Sequence, residues 1–141
     1  MNTILIADDE ESLRLLIRTT LESPEVTLLE ATDGNTALEI ARREQPDLIV
    51  LDWMMPGKSG IEVAKELRAD PRTAAIAIVM LTAMGQEQDR KQGLAAGVQA
   101  FLVKPFSPLE LLDRVQEVLR LSEFCQGERD EGAGKRYRKT A

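Results

Sequence analysis

The chain of 141 residues contains no histidine and only one cysteine, one tryptophan and one tyrosine. The lack of histidine excludes imidazole metal sites, histidine-containing catalytic triads and histidine acid–base pairs. A single cysteine, Cys125, cannot form an internal disulfide, which favours a reducing compartment. The start of the chain lacks the basic residues of a signal peptide, and no run approaches the roughly 20 apolar residues of a membrane span. We therefore expect a soluble cytoplasmic domain that does not contact a membrane.

The charge and size of the chain limit its partners further. A net charge of −6 argues against direct nucleic-acid binding by the folded part and favours binding of a cation. The apolar content suffices for one core, so we expect a single domain over residues 1–121. Residues 122–141 have too little apolar content for a second domain and are expected to form a polar, flexible tail. The basic cluster that closes this tail indicates, at most, an acidic partner.

Short apolar runs alternate along the chain with segments of helical periodicity. Strands are predicted near residues 3–7, 26–31, 48–51, 76–81 and 100–103, and helices near 11–22, 36–44, 59–69, 85–96 and 108–121. Five strands that alternate with five helices imply an α/β fold with a parallel, doubly wound sheet. The unbroken run Leu48–Leu51 is typical of a central strand that is covered on both faces.

Helix ends and helix faces can be predicted at several places. Asp33, Ser59 and Ser107 are expected to cap the second, third and fifth helices, the last two in capping boxes with Glu62 and Glu110. The first helix is expected to bury Leu13, Leu16, Ile17 and Leu21, and the last to bury Leu109, Leu112, Val115, Val118 and Leu119. The fourth helix is polar and buries little beyond Leu94 and Ala95, so it should be loosely held, with Gly97 as its C-terminal cap.

Polar residues stand where four of the strands end, and in a parallel sheet these ends share one edge, where ligands bind. They are Asp8 and Asp9, Asp52, Thr82 and Lys104. Each alone is more often structural; Asp52, for example, could simply cap a helix or bond within a loop. Two or three acids, a hydroxyl and a lysine on one edge indicate a functional site.

As a set, these motifs resemble the response-regulator receiver domain of two-component signalling, over about residues 3–121. The motifs are Asp8-Asp9, Asp52 with Pro56-Gly57, Thr82-Ala83 and Lys104-Pro105-Phe106. The resemblance, rather than the periodicity, implies the flavodoxin-like (βα)5 sheet with strand order 2-1-3-4-5. It also implies a cis peptide between Lys104 and Pro105.

The resemblance implies a Mg²⁺ site with Asp9, Asp52 and the backbone carbonyl of Met54 as ligands and Asp8 acting through a water. The chemistry of the residues agrees with this. Two carboxylates about 4 Å apart repel each other by roughly 4 kcal/mol at an effective dielectric of 20, and a divalent cation removes that repulsion. Oxygen ligands without histidine or cysteine suit Mg²⁺.

In the same family Asp52 is the phosphoacceptor, and Lys104 and Thr82 assist the transfer. The expected function is therefore that of a receiver that takes a phosphoryl group from a sensor histidine kinase or a histidine phosphotransfer protein. It would be a signalling domain that assists its own phosphorylation and dephosphorylation rather than an enzyme. Thr82 and Phe101 match the family's switch positions, although Phe101 could be a plain core aromatic.

The switch is expected to alter the surface of the fourth helix, fifth strand and fifth helix, which could also form a homodimer. Gln99-Ala100 stands where receivers of the winged-helix transcription-factor class have acids, which weakens the case for that dimer. Met54 and Met84 should border the approach of water to the phosphoryl group, where fast chemotaxis receivers have polar residues. Slow self-dephosphorylation is therefore expected, unless both methionines merely pack on the rim.

Other interpretations remain. A flavodoxin-like electron carrier shares the fold, but the acids after the first strand would repel a phosphate. A haloacid-dehalogenase-type phosphatase needs a second aspartate two residues after the nucleophile, where Met54 stands. A phosphorylation-independent interaction module or a phosphorelay intermediate is the alternative within the receiver class. The sequence does not identify the kinase, the output target or whether the chain is a fragment.

Overall fold

The computed structural model describes residues 2–83 and 87–133, which form one parallel sheet flanked by helices. Its elements in chain order are β1 (Asn2–Ala7), α1 (Glu11–Leu21), β2 (Val26–Ala31), α2 (Gly34–Glu44), β3 (Leu48–Asp52), α3 (Gly60–Ala69), β4 (Ala77–Thr82), α4 (Glu87–Ala95), β5 (Ala100–Val103) and α5 (Pro108–Ala133). The strand order is β2-β1-β3-β4-β5, with all pairs parallel. The predicted fold class and strand order are confirmed.

The two central strands explain the unbroken apolar runs of the sequence. Every residue of β3 and β4 is buried, because helices cover both faces of the sheet. Apolar side chains of α2 and α3 pack on one face and those of α1 and α5 on the other. Asp52 and Thr82, the last residues of these strands, are therefore carried to the edge of the sheet by rigid neighbours.

The predicted caps are confirmed. The Asp33 side chain accepts a hydrogen bond of 2.8 Å from the Thr36 amide, so α2 begins at Gly34, two residues earlier than its apolar pattern indicates. Ser59 with Glu62 and Ser107 with Glu110 form complete capping boxes at the starts of α3 and α5. Each box satisfies two backbone amides that a helix start leaves without partners.

Four predicted core positions are wrong. Leu94, Leu109 and Leu16 are exposed by 65%, 66% and 37%, and Ala95 is exposed as well. In α4 the buried position belongs to Gly93, because the Phe101 ring fills the space that a side chain would need. In α5 the core contact begins one turn in, at Leu111, and in α1 the buried position falls to Ile17.

The helix α5 continues to Ala133, twelve residues beyond Leu121, where the apolar periodicity ends. Residues 134–141, which hold the basic cluster, lie outside the described residues. The predicted boundary between domain and tail therefore stays a prediction. Within the described ranges, no helix is both long enough and apolar enough to cross a bilayer.

Candidate functional site at the carboxyl edge of the sheet

The strand ends bring the predicted residues together. β1 delivers Asp8 and Asp9 beside β3, and the register sets Asp52 opposite Leu81, one residue before Thr82. Carboxylate oxygens of Asp8, Asp9 and Asp52 all lie within 4.8 Å of one another. Asp8 and Asp52 are buried, whereas Asp9 is exposed at the mouth of the site. Three acids thus converge at the point between β1 and β3 where the direction of the sheet order reverses.

Lys104 reaches the acids from the end of β5, which β4 separates from the strand of Asp52. Its Nζ lies 3.1 Å from Asp52 Oδ1 and 3.8 Å from Asp8 Oδ2. Its backbone amide donates to the Thr82 carbonyl at 2.7 Å, and the peptide bond to Pro105 is cis, as the resemblance implies. One ammonium group therefore faces two buried carboxylates, which leaves this edge with excess negative charge.

Burial and mutual repulsion make that charge costly. Burial raises the pKa of Asp8 to about 6, and the Asp52 carboxylate adds to the rise against an opposing hydrogen bond from the Glu10 amide. Burial also raises the pKa of Asp52, opposed by Lys104 and by the Met54 backbone amide. Carboxyl groups that resist ionisation in this way favour a compensating cation.

The arrangement fits a divalent cation. Asp8 Oδ2 is buried and has no hydrogen-bond partner in the described part of the chain. A buried oxygen without a hydrogen-bond partner, beside two further carboxylates, belongs to a hard-oxygen donor set of the kind that Mg²⁺ prefers. Asp9, Asp52 and Asp8 can hold such an ion, and the loop after β3 carries the Met54 carbonyl that the family would add.

The remaining predicted site residues differ in where the structure places them. Thr82 is buried at the end of β4. The Phe101 ring is partly buried and packs on the core beside Gly93 of α4. Met54 is 70% exposed, as expected for a residue on the rim, whereas Met84 lies outside the described residues.

Two arginines that bind backbone carbonyls had not been expected from the sequence, one beside the acids and one at the opposite edge of the sheet. Arg14 donates from Nη1 to the Asp8 carbonyl at 2.9 Å and from Nε to Glu30 at 3.1 Å. Arg68 of α3 donates to the carbonyl oxygens of Ala74, Ile76 and Gly97. Backbone carbonyls leave no mark in a sequence, so neither contact could be found from residue types alone.

Comparison with known proteins agrees with this geometry. The model of the response regulator receiver domain family matches residues 4–116. The chain is 48% identical over 118 residues to the phosphate regulon transcriptional regulatory protein PhoB of Pseudomonas aeruginosa, covering 84% of this chain and 52% of that protein. It is 46% identical over 122 residues to the alkaline phosphatase synthesis transcriptional regulatory protein PhoP of Bacillus subtilis, covering 86% and 50%. The chain thus spans about half the length of the curated relatives it matches.

Solved structures show the same likeness. The chemotaxis response regulator CheY4 of Vibrio cholerae superposes with a TM-score of 0.79 at 34% identity, over 84% of this chain and 98% of that one. The receiver domain of the sensor histidine kinase PA1611 of P. aeruginosa has a TM-score of 0.76 at 29% identity, over 84% and 98%. That structure has a magnesium ion coordinated in its active-site cleft.

Proposed function

The chain belongs to the response regulator receiver domain family of two-component signalling, and from that premise we propose that Asp52 accepts a phosphoryl group from a histidine kinase. One observation carries the assignment: Asp52 accepts a hydrogen bond of 3.1 Å from Lys104 Nζ and also lies beside two further acids. A structural carboxylate would need only one such partner. The protein that donates the phosphoryl group is a histidine kinase or a histidine phosphotransfer protein. A cytoplasmic location follows from this role.

In the proposed reaction an Asp52 oxygen forms a bond to phosphorus while the bond between phosphorus and the donor nitrogen breaks, and the nitrogen keeps the electron pair. Lys104 Nζ, 3.1 Å from the carboxylate, orients it and then faces the negative phosphoryl oxygens. A divalent cation held by Asp8, Asp9 and Asp52 would offset the charge that accumulates on these oxygens. The buried position of Asp52 limits access of bulk water to the acyl phosphate.

The proposed readout is a shift between two arrangements of the region around Thr82, α4 and β5. Thr82 ends the strand beside Asp52, and Phe101 lies on β5 against α4. Movement of the threonine toward a phosphoryl oxygen would alter the space that the Phe101 ring occupies. The Gln99 side chain already accepts hydrogen bonds from Ile78 and Arg68, which leaves it engaged within the domain rather than offered to a dimer partner.

A phosphodonor of low molecular weight tests the assignment. Incubation of the protein with the donor and Mg²⁺ should add one phosphoryl group by intact mass, and the addition should disappear in Asp52→Asn and in chelator. Asp113→Asn, which removes an exposed acid of α5, is the control and should leave the addition unchanged. Phosphorylation that persists in Asp52→Asn would refute the assignment.

We also propose that Met54 lengthens the lifetime of the phosphorylated state. Its exposed side chain borders the site and cannot orient an attacking water by a strong hydrogen bond. Met54→Asn should speed loss of phosphate by about tenfold, since each tenfold in rate corresponds to about 1.4 kcal/mol of barrier. Leu15→Asn, an equally drastic change on the exposed side of α1, should leave the rate unaltered. Equal rates in all three proteins would show that Met54 does not control water access.

A further inference from the structure

Arg14 is the one side chain of α1 that reaches the backbone of the acidic loop among the residues described. Its guanidinium spans two groups, the Asp8 carbonyl oxygen at 2.9 Å and Glu30 Oε1 at 3.1 Å. The Arg14 side chain is only 15% exposed. A cation this close to an acid site would repel a metal ion, so Arg14 does not favour metal binding through its charge. Its geometry suggests a different role.

The acidic loop is fixed at three points. The Asp8 amide donates to the Ala31 carbonyl at 3.1 Å, the Glu10 amide donates to Asp8 Oδ1 at 2.8 Å, and Arg14 holds the Asp8 carbonyl. The second bond closes a ring that includes the Asp8–Asp9 peptide, but neither of the first two bonds engages the carbonyl oxygen of that peptide. Because a peptide unit is planar, the bond from Arg14 fixes the orientation of that whole unit. It thereby fixes the direction from which the exposed Asp9 carboxylate approaches the other acids.

We propose that Arg14, anchored by Glu30, is a positioning residue for the cation site: it holds the Asp8–Asp9 peptide so that the three carboxylates converge. Glu30 lies in the edge strand β2, next to Ala31, so the same strand fixes the loop through its backbone and through its side chain. This inference rests on the proposed function, because it assigns a role toward the same divalent cation.

The chain supplies a matched control. Arg18 lies one turn further along α1 and pairs with the other oxygen of Glu30, at 2.9 Å. It has the same charge, the same helix and the same partner as Arg14, but within the described part of the chain it makes no hydrogen bond to Asp8. Arg14→Gln and Arg18→Gln therefore remove equal charge, and any purely electrostatic effect on cation affinity should raise it in both variants.

The test is a Mg²⁺ titration followed by the fluorescence of Trp53, the only tryptophan, which adjoins Asp52. Arg14→Gln should weaken Mg²⁺ binding by about tenfold or more, as is usual when a residue that orients metal ligands is lost, whereas Arg18→Gln should change it by less than about twofold. Arg14→Lys keeps the charge and can keep one of the two contacts, so it should restore part of the affinity. If Arg14→Gln does not fold, the Mg²⁺ affinity of Arg14→Lys is compared with those of the parent and of Arg18→Gln instead.

A second readout needs no metal. Hydrogen exchange of the Glu10 amide, which bonds to Asp8 Oδ1, should be faster in metal-free Arg14→Gln than in the parent, and unchanged in Arg18→Gln. If Arg14→Gln binds Mg²⁺ as tightly as Arg18→Gln while the parent binds and is phosphorylated at Asp52, the positioning role is refuted and the proposed function stands. Absence of Mg²⁺ binding by the parent would refute the proposed function, and the inference about the cation with it.

Discussion

Helices α3 and α4 each follow a strand that ends in a site residue, but they are held in different ways. The first residue of α3, Gly60, donates its amide to the Trp53 carbonyl at 2.8 Å. A side chain there would overlap the Asp52 carbonyl, so the helix begins directly against the end of β3. Val63, Ala64 and Leu67 then bury one face of α3. The strand that carries the proposed phosphoacceptor is thus followed by a firmly packed helix.

Helix α4, which follows the strand of Thr82, has little to hold it. Among its described side chains, residues 90–95, only Gly93 is buried, and it meets the Phe101 ring. The end of the helix is better anchored. Gly97 stands in the left-handed conformation at φ +85°, and its carbonyl accepts bonds of 3.2 and 2.6 Å from Arg68 of α3. The well-packed helix α3 therefore fixes the C-terminal end of the poorly packed helix α4.

This contrast separates the chemistry from the readout. Phosphoryl transfer depends on fixed distances, and the elements around Asp52 provide them. A population shift requires two arrangements that differ little in free energy, which a helix with few buried contacts can supply. Each helix follows a strand of the same sheet, and the two differ in how many of their described side chains are buried.

The largest expected difference between the two helices comes from their leucines. Leu67→Ala in α3 removes a side chain that is 0% exposed and should lower the free energy of unfolding by about 2–5 kcal/mol. Leu94→Ala in α4 removes a mostly exposed side chain and should change it by no more than about 0.5 kcal/mol. Equilibrium urea unfolding of the metal-free protein gives both values.

Native-state hydrogen exchange provides an independent check of the same contrast. Amides in the body of α4 should exchange through local opening, whereas those of α3 should exchange only through larger unfolding. Equal costs for the two leucine substitutions, together with equal protection of the two helices, would mean that α4 is as firmly held as α3.

Much of the fold could be predicted because its signals are local. Apolar runs give the strands, and the boxes of Ser59 and Ser107 need only residues three positions apart. The buried position of α4 could not be predicted, because it depends on a contact between Gly93 and the Phe101 ring. The fold alone brings these two residues together. The strand ends could be assigned to one edge from topology, but the strand order that makes Asp9 and Asp52 neighbours came from the family resemblance. Arg14, which supports the acidic loop, and Arg68, which holds the segments before β4 and β5, both bind backbone carbonyls, which no residue pattern marks.

A smaller effect is expected at the contact between Gly93 of α4 and Phe101 of β5. In an exposed helix interior, Gly93→Ala would stabilise by about 1 kcal/mol through helix propensity. Here the added methyl would overlap the Phe101 ring, and overpacking of this kind costs about 1–3 kcal/mol. The net result should be destabilisation by about 1 kcal/mol.

A double-mutant cycle separates the two contributions. In a Phe101→Ala background the overlap is gone, so Gly93→Ala should become stabilising. Gln92→Ala, at the exposed neighbouring position, controls for propensity alone. If Gly93→Ala stabilises the parent as much as it stabilises Phe101→Ala, then the ring or the helix moves aside freely and the contact does not hold α4.

The smallest expected effect concerns the charges at the end of α3. Asp70, its C-terminal cap, is paired with Arg72 at 2.8 Å and Arg42 at 3.3 Å, and the bonds from Arg72 lower its pKa from 3.8 to about 2. Since the pKa is lower in the folded state, the unfolded chain binds more protons between these values. The stabilisation is therefore present above about pH 4 and is lost as the pH falls toward 2.

The measurement is the midpoint of thermal unfolding as a function of pH and salt. Asp70→Asn should lower the midpoint slightly at pH 7, and the gap from the parent should close as the pH falls through that window. Added salt should reduce the gap at pH 7, because the pairs lie near the surface. Arg72→Gln should show a similar but weaker pattern, because its backbone amide still donates to Asp70 Oδ1.

The end of α4 is held differently, by the Gly97 carbonyl, which accepts from Arg68. A carbonyl does not take up a proton in this pH range, so that contact should not depend on pH. A gap that stays constant from pH 7 to pH 2 would show that Asp70 holds α3 by its backbone geometry and not by its charge, and the two helix ends would then differ less than their contacts indicate.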